Sequence, residues 1–292
     1  MFREANQIAR SFTRPVVISS KAVDGTCSAG IGTCVVLNSE GWIVTAHHLV
    51  AEWAKLHTAV RKVDEVKASR TAIENDQSLS NTKKHKELNS LRLHHSAPER
   101  CSLWIGFDNV QNVQIKDGAF VSFEPLDIAL AQIANFEPAW CRTYPTIKDP
   151  SKDYDPGQSL CTLGFPLHHI TPKWNAALGA FELPPDCAPL PYFPIEGILT
   201  RFVQARTPEG VEPIAPIKWI ETSHPGLRGQ SGGPIFDPKG TVWGIQVRTT
   251  SYPLGFNTGN QTQYLHVGLG AHAESLLTMF KGLGINVQVS AY

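Results

Sequence analysis

Residues 221–235 read ETSHPGLRGQSGGPI, and the centre of that stretch, Gly229-Gln230-Ser231-Gly232-Gly233-Pro234, decides how the rest of the chain is read. Three of the five residues around Ser231 are glycines. Glycine enters φ > 0 regions that other residues avoid, so such a loop can turn tightly and leave amides bare. Bare amides converging beside a serine hydroxyl suit acyl transfer, whose tetrahedral intermediate carries an oxyanion. Taken alone, the pattern equally describes a Gly/Pro-rich surface turn, so the decision rests on two stretches elsewhere.

A serine hydroxyl is a weak nucleophile near neutral pH and needs a base within hydrogen-bond reach. Histidine suits, and a carboxylate can fix its tautomer and stabilise the imidazolium. The chain supplies both. Residues 33–37, the turn Asn38-Ser39-Glu40-Gly41 and residues 42–45 predict a β-hairpin that delivers Ala46-His47-His48 at its end. Asp127 precedes Ile128-Ala129-Leu130, a run expected to be buried, which favours an orienting carboxylate over an exposed strand-end one. Adjacent side chains on a strand point to opposite faces, so only one histidine of the pair can meet Ser231.

The order His, Asp, Ser in these contexts resembles the trypsin/chymotrypsin-type serine peptidases, and among them the HtrA-type and similar bacterial proteases. Gly30-Ile31-Gly32 and residues 41–50 resemble that family's first hairpin and catalytic histidine. Gly164-Phe165-Pro166-Leu167 and Glu196-Gly197-Ile198-Leu199 resemble strand ends of its second barrel. Trp243-Gly244-Ile245 resembles the strand after the serine, and Leu265-His266-Val267 the closing elements. The resemblance implies an all-β fold of two six-stranded antiparallel β-barrels with short terminal helices. It selects His48 as the base, Asp127 as its partner and Ser231 as the nucleophile, with the amides of Gly229 and Ser231 as the oxyanion hole. It places Pro225, Arg228, Val247, Arg248 and Thr249 in substrate binding, Pro225 at the base of the primary pocket. With no carboxylate there, a small or medium apolar side chain is expected at the cleavage site; Arg248 and His266 favour a polar or acidic one instead. His47 is expected to pack beside the site.

Departures from the digestive members are informative. The acidic residue before their serine, which pairs with a freed N-terminus, is Gln230 here, so ordering of the loop by a ligand or partner is expected. Leu49 and Leu227 stand where cysteines usually flank the histidine and serine. No peptide-binding PDZ-type module is expected after the peptidase domain.

The intervening sequence fits one peptidase domain over 12–284, with barrel one at 14–135, barrel two at 156–270 and a closing helix at 271–283. Phe2, Ala5, Ile8, Ala9 and Phe12 recur at helical spacing before Pro15. Trp53, Leu56, Val60, Val63 and Val66, then Leu88 and Leu91, predict a helical hairpin inserted over 51–98, read either as a solvated decoration packing one apolar stripe on its host or as a docking surface for a regulatory partner or a second copy. Pro184, Pro185, Pro189, Pro191 and Pro194 mark a loop that cannot be a central strand and borders a cleft.

At 292 residues and 42% hydrophobic content the chain can bury a sizeable core. Its 26 basic and 26 acidic residues balance, so no global field favours nucleic acid or an anionic membrane. The N-terminal segment lacks the apolar core of a signal peptide, and a cytoplasmic location is expected. The six cysteines show no CxxC spacing and are expected to be reduced. The pairs His47-His48, His94-His95 and His168-His169 offer no HExxH pattern, so neither metal nor cofactor is expected. The activity implied is a serine endopeptidase acting on protein or peptide substrates; the alternative is a pseudoprotease using the same scaffold to bind.

Overall fold

The computed structural model describes residues 1–108, 110, 113–152, 154–166, 170–184, 189–205, 215–254 and 263–292. Leu167, His168, His169, Pro185 and Cys187 lie outside the described residues. Helix α1 (Arg3–Phe12) buries Ala5, Ala9 and Phe12, the stripe that its spacing predicts, and gives way at Thr13 to the first strand.

Six antiparallel strands form the first sheet: β1 (Thr13–Ala22), β2 (Cys27–Val36), β3 (Trp42–Ala46), β4 (Pro98–Ile105), β5 (Val121–Phe123) and β6 (Ile128–Gln132), in the order β4-β1-β2-β3-β6-β5. The β2–β3 turn is built by Asn38, whose Oδ1 accepts from the amides of Glu40 and Trp42, while Gly41 takes φ 79°. Among the described residues the outer strands β4 and β5 are not paired, so this sheet stays an open half-barrel. Between β3 and β4 stand α2 (His47–Asn75) and α3 (Asn81–Ser90), the expected helical hairpin, which begins four residues earlier than the periodicity suggests. Only Val50 and Val63 of α2 are buried, because the helix lies on its host along a narrow stripe.

The second half holds β7 (Thr146–Ile147), β8 (Ser159–Gly164), β9 (Lys173–Asn175), β10 (Ala180–Glu182), β11 (Phe193–Gln204), β12 (Lys218–Thr222), β13 (Pro234–Phe236), β14 (Val242–Leu254), β15 (Gln263–His272) and β16 (Gln288–Val289). Strands run β13-β8-β11-β12-β15-β14, and β13 pairs again with β14, which closes a six-stranded barrel. β7 and β16 extend its edge in parallel, and β9 and β10 form a separate ribbon. Helix α4 (Ala273–Gly282) packs on the barrel through Leu276, Met279 and Phe280. One cluster, including Val35, Val44 and Leu130 from the first half and Leu163, Phe236 and Ile245 from the second, joins the two halves in a common core.

The proline loop needs one correction. Pro194 lies inside β11, opposite Leu163 of β8. Its missing N–H is tolerated because β12 pairs with β11 only from Leu199 onward, so at Pro194 that side carries no ladder. The five described cysteines are free thiols, and burial pushes Cys34 and Cys161 up to about 12, which keeps both protonated and unreactive. Among the described residues no helix is long and apolar enough to cross a membrane.

Candidate active site

The two adjacent histidines do not sit on a strand. β3 ends at Ala46, whose extended backbone caps α2, and His47 and His48 are the first two residues of that helix. Their side chains therefore diverge by about 100° rather than the 180° of a strand. The local cause is Asp127. It occupies the left-handed region (φ 57°) at the end of a short 3-10 turn, Glu124–Leu126, just before β6. Its carbonyl accepts from His47 N at 2.9 Å, and its Oδ1 accepts from His48 N at 2.8 Å. Two of the donors left unpaired at any helix start are thereby satisfied. The other carboxylate oxygen, Oδ2, lies 2.8 Å from His48 Nδ1. An ionised carboxylate only accepts, so Nδ1 is the donor, and in the neutral ring the lone pair lies on Nε2. The His48 side chain is 46% exposed and that of Asp127 only 20%, so the ring is reachable while its partner is covered. His47 turns away, with Nε2 3.8 Å from Glu124 Oε1.

The glycine loop from the second half is bonded across the seam to the first. Thr33 N donates to Ser231 O at 2.8 Å, and Thr33 Oγ1 donates to Gly229 O at 2.7 Å. Thr45 Oγ1, one residue before Ala46, donates to Thr33 O at 2.7 Å. Gly232 has φ +87°, and a Cβ there would stand 2.0 Å from Thr33 O and 3.0 Å from Ala46 N. The backbone after Ser231 thus lies against the backbone that leads into His48. Only glycine allows this approach. Gly229, at φ +100°, is confined in the same way: a Cβ would meet Phe165 O at 2.4 Å, and a Cβ on Gly164 would stand 2.7 Å from Gln230 Cα.

The amides flanking Gln230 differ from their neighbours. Gln230 N donates to Leu227 O, Gly232 N to Gln246 O and Gly233 N to Gln230 O. Among the described residues, the amides of Gly229 and Ser231 donate to no protein group. Gln230 itself is fully buried. Its Oε1 accepts from Leu227 N at 2.9 Å and its Nε2 donates to Phe193 O at 3.1 Å. A neutral side chain thus ties the loop to Leu227 and Phe193 from inside the protein.

The expected substrate-binding residues are distributed unevenly. Pro225 and Arg228 are exposed on the turn before Gly229, and it is the neighbouring His224 that is buried. His224 Nδ1 donates to Pro225 O and its Nε2 accepts from Thr162 Oγ1, with burial holding the ring below the usual imidazole pKa and so neutral. Val247 is buried at a β-bulge of β14, so only its backbone remains at the edge. The Arg248 guanidinium lies 5.1 Å from the Trp219 ring, and Thr249 Oγ1 donates to Gly226 O. His266 Nδ1 pairs with Ser251 Oγ. Among the described residues no three His, Cys, Asp or Glu side chains converge as a metal site.

Residues 32–245 match the family described as the trypsin-like peptidase domain. The chain belongs to that family. Among solved structures, the chain is similar to a variant of the HtrA-type protease AlgW with a tripeptide, at 13% identity and TM-score 0.50, covering 98% of this chain and 64% of that one. It is also similar to the Rv3671c protease from M. tuberculosis in its active form, at 13% identity and TM-score 0.48, over 98% of this chain and 86% of that one. The chain thus spans 64% of the length of the AlgW chain that it matches. No curated protein matches it in sequence. The likeness to AlgW supports the all-β double-barrel architecture of a trypsin-like peptidase. The roles of Thr33, Gln230 and Gln246 escaped the family pattern. Their signal was present nonetheless, as lone polar residues inside runs such as Gly32-Thr33-Cys34-Val35 and Gly244-Ile245-Gln246-Val247.

Proposed function

We propose that this trypsin-like peptidase-family chain is an active serine endopeptidase that cleaves protein or peptide substrates through an acyl-enzyme on Ser231. His48 Nε2 takes the proton from Ser231 Oγ and returns one to the leaving amine, while Asp127 holds the ring through Nδ1. The amides of Gly229 and Ser231 receive the oxyanion. The edge of β14 around Val247–Thr249 takes the substrate as an added strand. The observation that carries this reading is the two-point grip of Asp127 on His48, set beside a serine loop with two undonated amides.

The loop is ordered from within by Gln230, so the active form needs no cleaved N-terminus. Control instead falls to the α2–α3 hairpin, which is continuous with His48 and offers most of its surface to a regulatory protein or a second copy. Removing α3 with the distal turns of α2 is expected to change assembly or regulation more than chemistry; unchanged oligomeric state and unchanged turnover would dismiss this role. The catalytic reading is tested with a fluorophosphonate probe, which should label the protein and lose its target in Ser231→Ala. Equal, background labelling of both proteins would favour the pseudoprotease.

A further inference from the structure

Tyr192 stands where α1, the main core and the underside of the serine loop meet. A small apolar cluster of Val17, Ile31, Phe165, Ile170 and Leu190 is separate from the main core. Among the described residues, Tyr192 is the one partly buried apolar side chain packed on both. Its ring centroid lies 4.8 Å from that of Phe165. The Arg10 guanidinium, in the last turn of α1, sits over the same ring at 4.5 Å from the centroid. The Tyr192 hydroxyl is 3.4 Å from both Arg10 O and Thr13 O, too far for a strong bond to either, so the ring makes the main contacts. The helix that it touches is anchored in turn on the second half. Phe2 sets its ring edge-on to Phe236 of β13 at 6.0 Å, and Ile8 closes on Gly240.

Two residues beside Tyr192 hold the serine loop through backbone atoms. Phe193, next in the chain, accepts at its carbonyl from Gln230 Nε2 at 3.1 Å. Phe165, in ring contact, donates its N–H to Gly229 O at 3.3 Å, and its carbonyl oxygen fills the place of a Gly229 Cβ. A 3.3 Å bond is a weak hold, and a glycine has more conformations open to it than any other residue. The placing of Gly229 therefore depends on how firmly Phe165 and Phe193 are packed.

Resting on the endopeptidase reading above, we propose that Tyr192 is a positioning residue for the oxyanion hole: its ring couples α1 to Phe165 and Phe193, and so keeps the Gly229 amide in place for the charge that develops on the attacked carbonyl.

The chemistry sets the scale of the effect. An oxyanion donor acts as charge develops, so misplacing it lowers kcat and leaves ground-state binding along β14 untouched. A misplacement of about 1 Å costs on the order of a hundredfold.

The test uses Tyr192→Leu, Tyr192→Phe and Arg10→Met on one cleaved peptide. Rates are expressed per active site titrated to completion with the fluorophosphonate, so a misfolded fraction drops out. Tyr192→Leu should lower kcat about ten- to a hundredfold, with KM within about twofold of wild type. Tyr192→Phe keeps the ring and should stay within about threefold of wild type. Arg10 is exposed, so its replacement spares the fold. Arg10→Met should lower kcat about threefold, and should add nothing in the Tyr192→Leu background, because both act through one ring. Wild-type kcat in Tyr192→Leu overturns the assignment, as does a loss confined to KM, a Tyr192→Phe as slow as Tyr192→Leu, or an Arg10 effect that persists without the ring. Should Tyr192→Leu fail to fold, Arg10→Met decides alone, and wild-type kcat there overturns the assignment. Failure of the protease reading looks different: wild type itself would resist the fluorophosphonate and cut no peptide.

Discussion

The two sides of the site are held by opposite means. On the first-half side a charged group does the work: the Asp127 carboxylate grips one amide and one ring nitrogen of His48. On the second-half side the holding groups are neutral, with Gln230 and Thr33 bonding backbone and glycines admitting close approach. The difference follows from burial. Asp127 keeps some exposure and has a polar partner at each oxygen, so its charge is tolerated. Gln230 is fully buried, and a carboxylate there would need a cation brought to it. An amide needs only a donor and an acceptor, and Leu227 and Phe193 supply both. A neutral latch at that depth is therefore set as soon as the chain folds, whereas a carboxylate at position 230 would wait for a counter-ion.

The sharpest way to break this contrast is to neutralise the charged side. Asp127→Asn keeps the shape but can present an N–H to His48 Nδ1, which then carries the wrong tautomer. A fall in kcat of about 10⁴ is expected with the fold retained. Steady-state kinetics beside far-UV circular dichroism would check it, and a loss below tenfold would remove Asp127 from the chemistry. The converse experiment charges the neutral side. Gln230→Glu buries a carboxylate without a cation, which should cost about 3–5 kcal/mol of stability near neutral pH. Burial raises a carboxyl pKa, and the protonated acid can still donate to Phe193 O. The folded state then holds its proton above the pH at which the unfolded chain releases it, so stability is present in acid and lost as pH rises. Urea unfolding that shows no such slope would mean that the loop has rearranged around the charge.

The same contrast explains what could be read in advance. Ser231, His48 and Asp127 stand in short, dense local patterns, because tight turns and strand ends constrain the residues next to them. The double-barrel class was implied by the resemblance of these patterns to the trypsin-type peptidases. The helical start at His47 could not be read from periodicity, since it depends on Asp127, 79 residues beyond His48, taking φ 57° and capping the turn. Gln230 invited a reading by absence, as a missing acid, because its two partners come from separate segments. The position of Pro194 depended in turn on where β12 stops pairing, which no local pattern encodes.

A third prediction concerns a neutral group buried far from the loop. His272 is 1% exposed, and its Nδ1 accepts from Glu274 N to cap α4. Burial, helped by the nearby Lys218 charge, pushes its pKa down to about 3. A depressed histidine binds its proton in the unfolded chain first, so folding stability should decline as pH falls from about 6.5 toward 3. His272→Asn can still cap the helix and does not titrate. Its stability between pH 7 and pH 4.5 should fall by about 2 kcal/mol less than that of wild type. Parallel slopes in the two proteins would show that His272 is protonated without penalty.

The smallest effect lies at Glu99, where the charged strategy is used again outside the site. Glu99 joins Lys21 of β1, at 2.7 Å, to Lys67 of α2, and so ties the helical insert to the half that presents His48. Hydrogen bonds from Lys21 and then Lys67 hold its carboxyl down at about 2, below the usual 4.5. A depressed carboxyl contributes stability above its unfolded pKa and loses it as pH falls toward the folded value. Lys67 is 40% exposed, so solvent screening limits the gain. Glu99→Gln should cost about 0.5–1 kcal/mol near neutral pH, less at high salt, and the difference should shrink between pH 4.5 and 2. Thermal melts of the two proteins across that range would measure it. The informative readout is the rate at which the fluorophosphonate labels Ser231. If loosening α2 at Lys67 slows labelling by more than the small stability change accounts for, the insert and the first turn of α2 move as one body. An unchanged rate would confine the holding of His48 to Asp127 and leave the distal hairpin energetically separate from it.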